Sequence, residues 1–66
     1  MKRHRYIMIV VKSGVVEEVF PCSSFSSATK KAEGFALMHD PERYEVVVWN
    51  LDQNNAVYNP FKEMGR

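Results

Sequence analysis

The chain alternates between apolar runs and short polar breaks, and the spacing inside each run predicts its element. Arg5-Tyr6-Ile7-Met8-Ile9-Val10-Val11 holds six apolar residues in succession. A strand with one wet face would alternate, so this run predicts a strand that is apolar on both faces. Lys12-Ser13-Gly14 interrupts it, and Val15-Val16-Glu17-Glu18-Val19-Phe20 continues to Pro21. Two such runs around a glycine predict a β-hairpin with a loop of two or three residues. Ser23, Ser24, Ser26 and Ser27 come next, a residue type whose hydroxyl caps the free amides of a first helical turn. Phe25, Ala28, Ala32, Phe35, Ala36 and His39 then recur at the spacing of one helix face. Pro41 requires that helix to end by Asp40.

Tyr44-Glu45-Val46-Val47-Val48-Trp49 predicts a second strong strand, which Asn50-Leu51 can extend. Asp52-Gln53-Asn54-Asn55 reads as a turn, since Asn and Asp tolerate left-handed backbone. Ala56-Val57-Tyr58 begins a short last strand, and Pro60 marks an edge or an ending. Residues 62–66 have no pattern and are expected to fray.

These elements make an α+β fold of the form ββαβ(β), with one helix packed on one face of an antiparallel sheet of three or four strands. A right-handed crossover through the helix places the first strand between the second and the third, giving the order 2-1-3-4. The two most apolar strands then lie at the centre. Side chains alternate along a strand, so Ile7, Ile9 and Val11 share one face and Tyr6, Met8 and Val10 the other. The β-branched set is the one expected beneath the helix, where three alanines allow a close approach. That leaves Tyr6, Met8 and Val10 on the face without a helix.

Sixty-six residues bound the chain to one small domain, 1–66, in which folding buries only about 60% of the unfolded surface. Disulfides and metals usually stabilise so small a domain. Cys22 is the single cysteine and His4 and His39 are the two histidines, so neither a disulfide nor a structural metal is expected. Basic residues before an apolar run imitate a signal peptide, but six apolar residues are too few for a secretory segment or a membrane span. The expectation is a cytoplasmic protein with no membrane partner. Its formal net charge of +1 excludes a global basic field.

No serine elbow, phosphate loop or metal-binding helix motif occurs. His39-Asp40-Pro41-Glu42 sets an imidazole near carboxylates, but adjacent residues leaving a helix diverge, and a histidine at a helix end is ordinarily a favourable dipole partner. Cys22 lies before the helix, and with no partner histidine or second cysteine it reads as a packed thiol. No catalytic residue, cofactor or enzyme activity is expected. Tyr6, Met8, Val10, Trp49 and Tyr58, rimmed by Arg3 and Arg5, are instead the candidate interaction residues, because aromatics and arginine are enriched at interface hot spots.

The expectation is a non-enzymatic interaction module that binds another protein or a second copy of itself. In size and plan the chain resembles the compact one-helix sheets of small phage and mobile-element proteins, including some anti-CRISPR inhibitors. That resemblance implies a role in binding and modulating a larger protein, and it transfers no residue. The alternative is single-stranded nucleic-acid binding. The arm Lys2-Arg3-His4-Arg5 would supply charge, and Tyr6, Trp49 and Tyr58 would supply stacking surfaces.

Overall fold

A computed structural model describes residues 5–63 of the chain. The strands are β1 (Tyr6–Lys12), β2 (Val15–Cys22), β3 (Tyr44–Asn50) and β4 (Asn55–Tyr58); the helices are α1 (Phe25–Met38) and α2 (Pro60–Glu63). The sheet order is β2-β1-β3-β4, with every neighbouring pair antiparallel. The fold is therefore α+β, one layer of sheet under one layer of helix. As expected, β1 and β3 occupy the centre.

Ser13 and Gly14 make the β1–β2 turn, with φ of 52° and 82°. Two successive residues of positive φ match the right-handed strand twist, which settles the loop at two residues. The Ser13 amide also donates to the Arg43 carbonyl at 3.0 Å, tying the hairpin tip to the segment before β3. Farther along, Val10 pairs with Glu18 and Val11 with Val16. Glu17 is thus an extra residue, a bulge that bends and twists the edge strand β2.

Ser24 is the N-cap of α1, its hydroxyl accepting from the Ser27 amide at 3.1 Å. Ala28, Ala32 and Ala36 are fully buried, and their small side chains let the helix lie close on β1 and β3. At the far end Asp40 turns the chain. Its carboxylate accepts from the Glu42 amide at 2.9 Å, and its carbonyl accepts from Arg43 and Tyr44.

The helix covers the face opposite to the one expected. Met8 and Val10 are each 1% exposed, and they pack with Val46, Val48, Cys22 and the three alanines. Ile7, Ile9 and Val11 therefore project from the side without a helix. An unbranched methionine fits the narrow space under a helix carried on alanines, and this outweighs any advantage of β-branching there.

The chain also closes differently at its end. Asn59 caps α2, its side-chain oxygen accepting from the Phe61 amide at 3.0 Å and the Lys62 amide at 3.2 Å. Pro60 takes the first helical position, where no amide is needed. Phe61 is 6% exposed and belongs to the core. Lys62 and Glu63, assigned above to a fraying tail, complete this turn; residues 64–66 lie outside the described ones.

Candidate functional site

The strand pairings lay out the face that the helix leaves open. Ile7, Ile9 and Val11 form its middle row on β1. Opposite them on β3 stand Trp49, Val47 and Glu45. On the β2 side, Ile9 faces Val19 and Val11 faces Val16. Trp49 faces Ala56 across β4. Directly paired residues share a face, so this is one continuous surface with an apolar centre.

Its residues differ in how far their neighbours shield them. Ile7, Ile9, Val11, Val47 and Trp49 are half-buried by one another, while Val16 and Val19 remain 58% and 50% exposed. None of these residues packs against the helix-side core. The charges sit at the ends. Arg5 precedes β1 at one end, its Nε 3.6 Å from the Asp52 carboxylate. Glu45 stands exposed at the other end, beside Val11.

The candidate residues named from sequence are divided by this arrangement. Met8 and Val10 are core residues, so neither can form part of a binding surface. Tyr6 and Tyr58 are on the helix side, flanking Phe25 with ring centroids at 5.8 and 6.3 Å. Trp49 alone among the three aromatics belongs to the open face. Arg5 is an exposed rim residue, and Arg3 lies outside the described residues.

The three aromatics therefore do not make a common stacking platform of the kind that binds unpaired bases. Ile7, Ile9, Val11 and Val47 were missed as surface residues. The signal that identifies them is Glu45, a carboxylate that must point away from an apolar core and carries the face of β3 with it.

The helix side is chemically quiet. Burial raises the Tyr58 hydroxyl above its usual range, and the Glu33 carboxylate adds to this both as a negative charge and as a hydrogen-bond acceptor, with Glu63 contributing further. His39 packs on Phe35 and Tyr44. Cys22 is a buried free thiol whose Sγ lies 3.6 Å from the Phe20 carbonyl. Among the described residues, no three His, Cys, Asp or Glu side chains come together as a metal site. No helix among them is long and apolar enough to cross a membrane. Compared with protein-family models, with curated proteins and with solved structures, the chain matches none.

Proposed function

We propose that this chain is a non-enzymatic protein-interaction module that works through the open face of its sheet. The observation that carries the reading is the continuous apolar surface of Ile7, Ile9, Val11, Val47 and Trp49, extended by the exposed Val16 and Val19. Scattered apolar residues are normal on any surface, but a contiguous patch spread over three strands marks a contact site. A module this small also gains much of its stability from association, and Met8 and Val10 are the only fully buried side chains of α1 and β1, among the described residues, that are larger than alanine.

The test is a comparison of the wild-type chain with an Ile9→Thr/Val47→Thr variant. Threonine keeps β propensity while placing hydroxyls in the middle of the patch, and circular dichroism with thermal melting verifies the fold. The variant is expected to lose the oligomeric state or the retained protein partners of the wild type. A folded variant that keeps both would remove the face from consideration. Tight association of the wild-type chain with oligonucleotides at low salt, lost on Arg5→Ala, would favour the nucleic-acid reading instead.

A further inference from the structure

We infer that the open face is closed by a second copy of this chain, sheet against sheet, with the strands of the two copies running in opposite directions. This rests on the reading of that face as a protein-interaction surface, and it names the occupant.

Area is the first argument. Strands of seven, eight, seven and four residues, about 4.8 Å apart and rising about 3.3 Å per residue, make a face of roughly 410 Å² per copy before side-chain relief is counted. With the relief included, two such faces reach the total of about 1,000 Å² at which specific interfaces begin. A single peptide strand laid across the face would leave most of it wet, whereas a matching sheet covers it.

The second argument is the make-up of the face. Its centre, from Ile7 and Ile9 across to Val47, carries no charged side chain. A two-fold contact presents the same patch to itself, so residues at the axis must tolerate their own kind. Aliphatic side chains do, and aligned sheet-on-sheet packing is an established way of burying them.

Charge fixes the direction. Arg5 and Glu45 lie at opposite ends of the face, and Glu45 has no ion-pair partner among the described residues. A two-fold axis running across the strands near Ile9 and Val47 brings Arg5 of each copy towards the partner's Glu45. An axis along the strands would instead set Glu45 near the partner's Glu45. Arg5 already leans on Asp52, but a guanidinium has five donors and can serve a second carboxylate.

The β2 edge of the sheet is a poorer route to the same end. β2 is bent by the Glu17 bulge, carries Glu17 and Glu18, and lacks an amide hydrogen at Pro21. These are devices that blunt an edge strand.

Light scattering over a concentration series, with Trp49 fluorescence followed in the same samples, tests the inference. The chain has one tryptophan, and it lies on the face in question. The expected result is twice the chain mass and a blue-shifted emission, both reverting on dilution. Ile9→Thr/Val47→Thr is expected to weaken self-association at least tenfold. Arg5→Glu and Glu45→Arg are each expected to weaken it, and the two together to restore it.

A monomer at all concentrations overturns the second copy; the broader reading then survives only if the threonine variant also loses a foreign protein bound by the wild type. A dimer indifferent to the threonine variant places the contact elsewhere and overturns the inference. A dimer lost in the threonine variant but unmoved by either charge reversal overturns the proposed direction.

Discussion

The His39 ring lies flat on the Phe35 ring, with centroids 3.7 Å apart and planes 1° from parallel, while its Nδ1 is 2.8 Å from the Phe35 carbonyl oxygen. A carbonyl only accepts, so Nδ1 carries the hydrogen. One side chain thus satisfies a free carbonyl in the last turn of α1 and covers the aromatic that seals that end of the core. Replacing His39 with alanine is expected to cost about 1–3 kcal/mol, the sum of an aromatic pair and a hydrogen bond. His39→Phe keeps the stack without the donor, and urea unfolding of both variants separates the two contributions. Equal stability of wild type and His39→Ala would show the contact to be idle.

Ala32 is fully buried opposite the central strands. Ala32→Leu inserts volume into the filled seam between α1 and the sheet, and the expected loss is about 1–3 kcal/mol. A loss of this size in thermal melting would lower Tm by roughly 4–8 °C for each kcal/mol in a domain of this size. An unchanged Tm would mean that the helix rides higher on the sheet than described.

Phe61 anchors the last helical turn in the core. Truncating it to alanine is expected to cost about 3–5 kcal/mol, as for other buried aromatics, a large part of what a small domain possesses. Chemical denaturation is again the measurement. A loss below about 0.5 kcal/mol, the usual range for surface positions, would show that α2 contributes little to the fold.

Ser13 holds a left-handed conformation that costs most side chains roughly 1–2 kcal/mol. Asparagine is favoured before glycine in this turn type. Ser13→Asn is therefore expected to raise stability by about 0.5–1 kcal/mol, consistent with other turn and loop optimisations. A lower melting temperature would show that the serine hydroxyl has a role that the backbone geometry does not reveal.

Tyr58 should titrate above an ordinary tyrosine, because burial and the Glu33 carboxylate both favour its neutral form. The group is raised in the folded state, so its contribution to stability is complete below about pH 10, the unfolded value, and is lost as pH climbs through the folded one. Tyrosinate absorbance against pH, assigned with Tyr58→Phe, should show one late phase that Glu33→Gln moves earlier. A Tyr58 phase at the ordinary tyrosine value would contradict this placement.

Much of the architecture is legible in the residues themselves. Gly14, the serine cluster, Pro41 and the two apolar runs mark the elements, and the handedness of the crossover orders the strands. The orientation of the sheet was harder to read because β1 is apolar at every position before Lys12, which silences the alternation that normally tells inside from outside. Strand propensity was then a poor arbiter between Ile9 and Met8, since it says nothing about the depth of the space to be filled. The acidic Glu45 held the answer one strand away, through its pairing with Val11. α2 was overlooked because one turn of helix has no periodicity, although asparagine before proline is a recognisable helix start. Once the sheet is turned over, Met8 and Val10 leave the candidate surface, and Ile9 and Val47 take their place.

The extra residue at Glu17 has a consequence for how far assembly can proceed. A flat, unbroken β2 beside so apolar a face would offer neighbouring molecules a template, and chains could add to it one after another without limit. The bulge spoils the spacing of that template, and Glu17 and Glu18 repel an identical strand brought alongside. Extension from the β2 edge is thus disfavoured, while an assembly through the face, as proposed above, would be saturated as soon as it is paired. One inserted residue works against open-ended growth from that edge.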